Sequence, residues 1–401
     1  MNSRRRHARV LIYSHDSFGL GHLRRCRTIA HALVGGRKDL SVLILSGSPI
    51  IGSYEFRTRV DFVRIPGIIK LRNGEYSPLS LNMDTSEVLG LRESIIQHTA
   101  EVFDPDILIV DKEPLGLRGE MASTLEALHA RGCYVVLGLR DVMDDPELLA
   151  SEWQRKNPVP ALQHLYDAIW VYGLPQICEP LAGLGLPADV LEKVCYTGYP
   201  RISAPAIGPA VTHVDVENGD YVLVMTGGGG DGDELIDWLL NAYETQPDLP
   251  RALIVFGPFM SAQRREGFAR RVDRLQRVEA ITFDARIEAR IAEASAVVAM
   301  GGYNTFCEIL SFDKPALIVP RTFPRREQLI RASRAQQLGL LEMLDPARAM
   351  NPVVMAEALR ALASQRSPSR AMLPGLLDGL ERIRELVDEV LDVQGHNIAQ
   401  A

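Results

Sequence analysis

Chemistry in this chain has to come from a few loops rich in glycine, histidine and acidic residues. The first is HDSFGLGHLRR from His15, where Gly19 and Gly21 permit a sharp turn and His22 falls at the start of a helix. Helix N-termini attract anions and disfavour imidazolium, so His22 is expected to stay neutral and to act as a general base. A turn built for steric reasons with a histidine that only caps would use the same letters. The second loop is TGGGGDGDEL from Thr226. Gly227, Gly228, Gly229 and Gly230 could cradle a diphosphate through backbone N–H groups, although the GKS/T ending of a P-loop and the GxGxxG spacing are both missing. Asp231 and Asp233 could hold a divalent cation there; a helix cap is the favoured role for one of them. The third loop, GGYNTFCEIL, closes a strand with Gly301 and Gly302 and starts a helix near Asn304. Thr305 and Glu308 fit a capping box; alternatively Glu308 accepts hydrogen bonds from a ribose diol.

Charged residues at other strand ends widen the choice. Arg321, Arg325, Arg326, Arg331 and Arg334 surround Gln328 in PRTFPRREQLIRASR, and one or two of them could neutralise a diphosphate. Arg201 in TGYPRI is better placed for an anion. Asp111 and Glu113 follow DILIVD, and Arg140 and Asp141 follow YVVLGL. Each could be a second base or an acceptor ligand, or simply a strand-end cap or salt bridge.

These loops need elements to hold them. Apolar runs at Val10–Ser14, Val42–Ser46, Ile107–Val110, Tyr134–Leu139 and Ala168–Tyr172 read as strands. So do Tyr221–Met225, Ala252–Phe256, Ala296–Met300 and Ala316–Val319. Amphipathic stretches such as His22–Val34, Ser86–Val102, Gly119–Ala130, Glu234–Tyr243 and Glu327–Leu338 lie between them. Continuous Val/Ile/Leu strands separated by helices predict parallel sheets covered on both faces, an α/β architecture. Ligands in such sheets bind beyond the carboxyl ends of the strands. A stretch from Pro200 to Gly219 with three prolines breaks the alternation, and a new strand–glycine loop–helix unit begins at Tyr221. Two domains follow. Leu376, Leu380, Ile383, Val387 and Leu391 predict a last amphipathic helix.

Composition excludes several classes. With 44 basic and 51 acidic residues the net charge is −7, which argues against a general nucleic-acid binder. No apolar stretch is long enough to span a bilayer, and the basic start with its short apolar run does not read as a signal peptide. A cytoplasmic enzyme is expected. Arg4, Arg5, Arg6 and Arg9 leave open a peripheral contact with the inner face of a membrane. Five scattered cysteines without a CxxC pair predict neither disulfides nor a zinc site.

Taken together and in order, these motifs resemble glycosyltransferase family 28, the inverting nucleotide-sugar transferases that include the lipid II N-acetylglucosaminyl transferase and plant galactolipid synthases. The resemblance is most specific at Gly301-Gly302-x-Asn304-Thr305-x-x-Glu308, the strand ending in Pro320 and Gln328, and it extends to Gly21-His22 and Gly198-Tyr199-Pro200-Arg201. More narrowly, GLGHLRR and GLRD look like a bacterial branch of predicted glycosyltransferases. It implies a GT-B fold, two Rossmann-like doubly wound domains facing across a cleft. An acceptor-binding domain would span 1–201, a linker 202–219, a nucleotide-sugar domain 220–372, and a helix over 373–401 would cross back. The resemblance places Glu308 on the ribose, Gln328 near the donor sugar, and Gly227, Gly228, Gly229 and Arg201 on the diphosphate. Phe283, Asp284 and Ile287 would run past the uracil. The implied reaction is transfer from a UDP-sugar, a UDP-N-acetylhexosamine or UDP-hexose, to an unidentified acceptor hydroxyl deprotonated by His22, with Asp111, Glu113 and Arg140 on the acceptor side. No cofactor and no metal are expected, although Asp231 and Asp233 depart from the family's loop and leave a divalent cation open. The polar KLRNGEYS within 65–83 argues against assuming a lipid acceptor. An alternative comes from Gly19-x-Gly21-His22-x-x-Arg25-Cys26, which also looks like the GxGHxxRC of UDP-sugar hydrolases of the pseudaminic acid pathway. A non-catalytic nucleotide-sugar sensor would keep the glycine loops and Glu308 but need no base at position 22.

Overall fold

The computed structural model describes residues 7–16, 21–70, 75–203, 221–228, 230–284 and 286–400. Gly19, Gly229, Arg4, Arg5, Arg6 and most of the 202–219 linker therefore lie outside the described residues. The chain divides into two compact units, Met1–Pro200 with Asp378–Ala401, and Arg201–Leu377.

In the first unit, β1 (Ala8–Ser14) leads into α1 (Gly21–Gly36), then β2 (Leu40–Ser46) and β3 (Val60–Arg64). A small antiparallel hairpin follows, β4 (Ile68–Lys70) and β5 (Tyr76–Pro78). Next come α2 (Thr85–Phe103), β6 (Ile107–Asp111), α3 (Ala122–Ala130) and β7 (Tyr134–Arg140). The run ends with α4 (Pro146–Lys156), α5 (Val159–His164), β8 (Ala168–Tyr172), α6 (Ala188–Leu191) and β9 (Val194–Tyr196). The seven-stranded sheet has the order β3-β2-β1-β6-β7-β8-β9, and its neighbours pair in parallel. Its central strands are buried along their length, as the continuous apolar runs require; Ile107–Asp111 and Ala168–Tyr172 are buried at every residue.

The second unit repeats the plan. It runs β10 (Val222–Met225), α7 (Asp233–Thr245), β11 (Ala252–Val255), α8 (Ala262–Val272), β12 (Val278–Ile281) and α9 (Ile287–Glu293). It continues with β13 (Ala296–Ala299), α10 (Tyr303–Ser311), β14 (Ala316–Ile318), α11 (Glu327–Gln337) and β15 (Glu342–Met343). Helices α12 (Pro346–Ala349) and α13 (Pro352–Ala361) complete it. The parallel order is β12-β11-β10-β13-β14-β15, the 3-2-1-4-5-6 arrangement of a dinucleotide-type fold.

The last helix, α14 (Gly379–Gln400), belongs to the first unit. It buries Ile383, Val387 and Leu391 at four-residue spacing, while Arg37, just past the end of α1, donates to Asp388 at 3.1 Å. Among the described residues no helix is long and apolar enough to cross a membrane.

Candidate active site

Each main sheet reverses its strand order once, and loops on either side of that reversal open away from one another to leave a crevice. In the first unit the reversal lies between β1 and β6. His22, second residue of α1, follows β1, and Asp111 is the last residue of β6. The fold thus joins residues 89 positions apart: His22 Nδ1 stands 2.5 Å from Asp111 Oδ2. Arg25, one turn further along α1 and on the same face, donates to Asp111 Oδ1 from Nε at 3.1 Å and from Nη2 at 2.5 Å.

This arrangement sets the charges. Burial would raise the Asp111 pKa, but Arg25 and His22 outweigh it and hold the carboxyl well below the usual carboxylate range. Burial pushes His22 down to about 4 against the opposing pull of Asp111, so the ring is neutral near pH 7. With an ionised acceptor at Nδ1, that nitrogen carries the proton and Nε2 keeps its lone pair. The His22 side chain is 14% exposed, which leaves the ring accessible. Helix position alone predicts the neutral form; the larger cause in the structure is desolvation.

Two neighbours that sequence reasoning missed complete this cluster. His15 is buried, its ring edge-on to His22 with centroids 5.8 Å apart, and burial holds it well below 6.5. Asp16 accepts from Ser46 Oγ at 2.5 Å and from the Leu23 backbone N at 3.2 Å, tying the ends of β1 and β2 to the first turn of α1. Its burial raises the carboxyl to about 6. Their position immediately after the first apolar run was the available signal. Glu113 accepts from Lys156 of α4 at 2.7 Å, which is the salt-bridge role. Arg140 ends β7 and is half-buried, and its neighbour Asp141 accepts from Tyr199 Oη at 2.7 Å.

In the second unit the reversal lies between β10 and β13, so the loops after these strands are the two glycine loops. Gly227 has φ +66°, and a Cβ on Gly232 would lie 2.2 Å from Thr226 Cβ, so the turn needs glycine there. Gly21, Gly228 and Gly302 likewise sit at strand-to-helix turns or helix starts.

The helix-cap reading of Asp231 and Asp233 is corrected. Gly232 is the N-cap of α7 and makes no side-chain cap bond. Asp231 pairs with Arg321 and Asp233 with Arg264 at 3.3 Å, because guanidinium partners from neighbouring segments claim both carboxylates. Among the described residues no group of three or more His, Cys, Asp or Glu side chains gathers into a metal site.

The capping box at Thr305 is corrected as well. Helix α10 begins at Tyr303 behind the N-cap Gly302, so Asn304 and Thr305 lie inside its first turn. Glu308 falls in the second turn and is 2% exposed, too far along to satisfy the first N–H groups. Gly301 has φ +82°, and its carbonyl accepts from buried Arg331 Nη1 at 3.0 Å. Gln328, second residue of α11, accepts from the Arg321 backbone N at 2.9 Å. Phe283 is half-exposed, Asp284 accepts from Arg286 N at 2.8 Å and Arg290 Nε at 3.1 Å, and Ile287 opens α9. Arg201 is exposed.

Residues 222–374 match the glycosyltransferase family 28 C-terminal domain. Among solved structures, Medicago truncatula UGT71G1 complexed with UDP-glucose is similar at 13% identity and TM-score 0.63, covering 96% of this chain and 99% of that one. The glycosyltransferase VinC in complex with dTDP is similar at 17% identity and TM-score 0.62, covering 97% and 100%. Acinetobacter baumannii MurG is similar at 13% identity and TM-score 0.58, covering 95% and 99%. At such identities these structures establish the GT-B fold, and the domain match adds the activity. Residues 222–374 thus carry a glycosyltransferase family 28 C-terminal domain, and the chain is a glycosyltransferase of the GT-B fold that uses a nucleotide sugar.

Proposed function

We propose that the protein is an inverting glycosyltransferase that moves a sugar from a UDP-sugar, a UDP-N-acetylhexosamine or UDP-hexose, to an acceptor hydroxyl. The observation that carries this reading is the His22–Asp111–Arg25 cluster at the β1/β6 reversal. A neutral imidazole with Nδ1–H held by a buried carboxylate has one free basic nitrogen. In the proposed step, His22 Nε2 takes the acceptor proton as the acceptor oxygen bonds to the anomeric carbon. The bond from that carbon to the diphosphate breaks, its electron pair leaves with UDP, and the single displacement inverts the configuration. Asp111 stabilises the imidazolium that forms, and Arg25 keeps Asp111 ionised and in place.

On the donor side, the N-cap glycines of α7 and α10 make no side-chain cap bond; the first turn of α10 holds no acidic residue, which favours an anion there, whereas that of α7 holds Asp233 and Glu234. In this reading the loop at Gly227 and Gly228, the turn at Gly301–Gly302 and Arg201 receive the diphosphate. Glu308 with Asn304 and Thr305 holds the ribose, Gln328 meets the sugar, and Phe283, Asp284 and Ile287 pass the base. The UDP-glucose named for the Medicago structure supports a uridine donor.

The test is a panel of UDP-, GDP- and dTDP-sugars, read by thermal shift and then by release of the nucleoside diphosphate. Stabilisation by UDP-sugars and acceptor-dependent UDP release are expected, with the anomeric configuration of the product inverted. Rapid stoichiometric release of free sugar without acceptor would replace transfer by hydrolysis. Failure to bind any nucleotide sugar would end the reading.

A further inference from the structure

Arg321 lies just past β14 and gathers three partners. Its backbone N donates to Gln328 Oε1 at 2.9 Å, its Nη2 donates to Glu327 Oε1 at 2.8 Å, and its Nη1 pairs with Asp231 of the glycine loop. One guanidinium and two carboxylates sum to a formal charge of −1. A doubly charged diphosphate approaching this loop would meet net repulsion as the cluster stands. The two carboxylates are not equivalent. Glu327 is the first residue of α11 and its side chain is 9% exposed, whereas the Asp231 side chain is 43% exposed between Gly230 and Gly232. Glu327 is built in; Asp231 is able to swing away. Among the described residues, Arg321 Nε and Glu327 Oε2 are also buried without a hydrogen-bond partner, so the cluster has bonding capacity that its own members leave unused.

We propose that Asp231 and the diphosphate of the donor are alternative partners of Arg321: the incoming diphosphate displaces the Asp231 carboxylate and takes the guanidinium as its counter-cation. The proposal rests on the reading that this glycine loop receives the diphosphate. It makes Arg321 a diphosphate-binding residue and gives it the task that a divalent ion would otherwise perform. Glu327 and Gln328 then act as positioning residues that keep Arg321 at the loop.

The test is calorimetric titration of the full chain with UDP, and with uridine as a phosphate-free control. Asp231→Asn removes the competitor and should tighten UDP about 2- to 5-fold, the scale of a partly exposed ion pair. Arg321→Ala should weaken UDP about 10- to 100-fold through lost charge-assisted bonds, with Arg321→Lys in between. Uridine affinity should match wild type in Asp231→Asn. Unchanged or weaker UDP binding by Asp231→Asn would overturn the proposal, as would a Mg²⁺ requirement for UDP binding that this substitution abolishes. If wild type itself binds no UDP, the donor reading falls first. If it binds UDP but Asp231→Asn behaves like wild type, only the exchange at Arg321 is refuted.

Discussion

The His22–Asp111 pair can be tested as a unit. His22→Ala removes the proposed base but leaves the Arg25–Asp111 ion pair intact, so transfer should slow about 10²- to 10⁴-fold, equivalent to roughly 3–5 kcal/mol of barrier. Asp111→Asn acts in two ways. It takes away the carboxylate 2.5 Å from His22 Nδ1 that stabilises the imidazolium, and it strands the buried Arg25 guanidinium. The first effect should cost about 10²- to 10⁴-fold in kcat, because an amide can present its NH₂ to Nδ1 and hold the wrong tautomer. The second should cost roughly 3–5 kcal/mol of stability, lowering Tm by about 6–20 °C for a unit of this size. The assay is a double-mutant cycle in single-turnover transfer, run well below the Tm of every variant. If Asp111 acts through His22, Asp111→Asn should lose almost no further activity in the His22→Ala background. Additive losses would refute the dyad and leave Asp111 as a structural counter-ion of Arg25.

Three further outcomes follow from the same structure. Because burial lowers His22 to about 4, kcat/KM should stay flat as pH falls through 6.5 and drop only near the lower value; an acid limb centred at 6.5 in a pH–rate profile would contradict the desolvated dyad. Asp16 has its folded pKa raised from 3.8 to about 6, so the native state binds more protons than the unfolded chain in that window and its contribution to stability falls as pH rises through it. Asp16→Asn should therefore gain on wild type by up to about 3 kcal/mol between pH 3.5 and 7 in urea titrations, and a constant gap would show that the carboxyl is not perturbed. Gly301→Ala would need φ near +82° and place Cβ 2.8 Å from Ile318 Cγ2, so a loss of about 1–3 kcal/mol is expected by thermal denaturation, whereas an unchanged Tm would mean the turn relaxes easily.

Composition and hydrophobic patterning go a long way toward the fold. The nine apolar runs all form strands, because strands inside a parallel sheet are covered on both faces and must be apolar along their whole length. The strands that the pattern misses in the two main sheets are β3, β9, β12 and β15, which are the four edges. An edge strand is half solvated, so VDFVR, VEAI and EM are interrupted by charged residues, and VCY is too short a run to stand out. Helix starts were less readable: Thr305-x-x-Glu308 has the letters of a capping box, but α10 begins two residues before Thr305 and carries Glu308 into its buried second turn.

The candidate site divides along the same line. Glycine loops, His22 and the arginines after Pro320 are visible in the sequence because each needs only a local pattern, a strand end followed by a helix start. What each one touches depends on strand order. Asp111 becomes the partner of His22 because β6 lies beside β1, and Asp231 meets Arg321 because the loop after β10 and the segment after β14 approach each other in one unit. Sequence alone determined that these residues stand at the ends of parallel strands. Only the tertiary structure decided which charges meet there and how far burial shifts them, since both depend on contacts between segments distant along the chain.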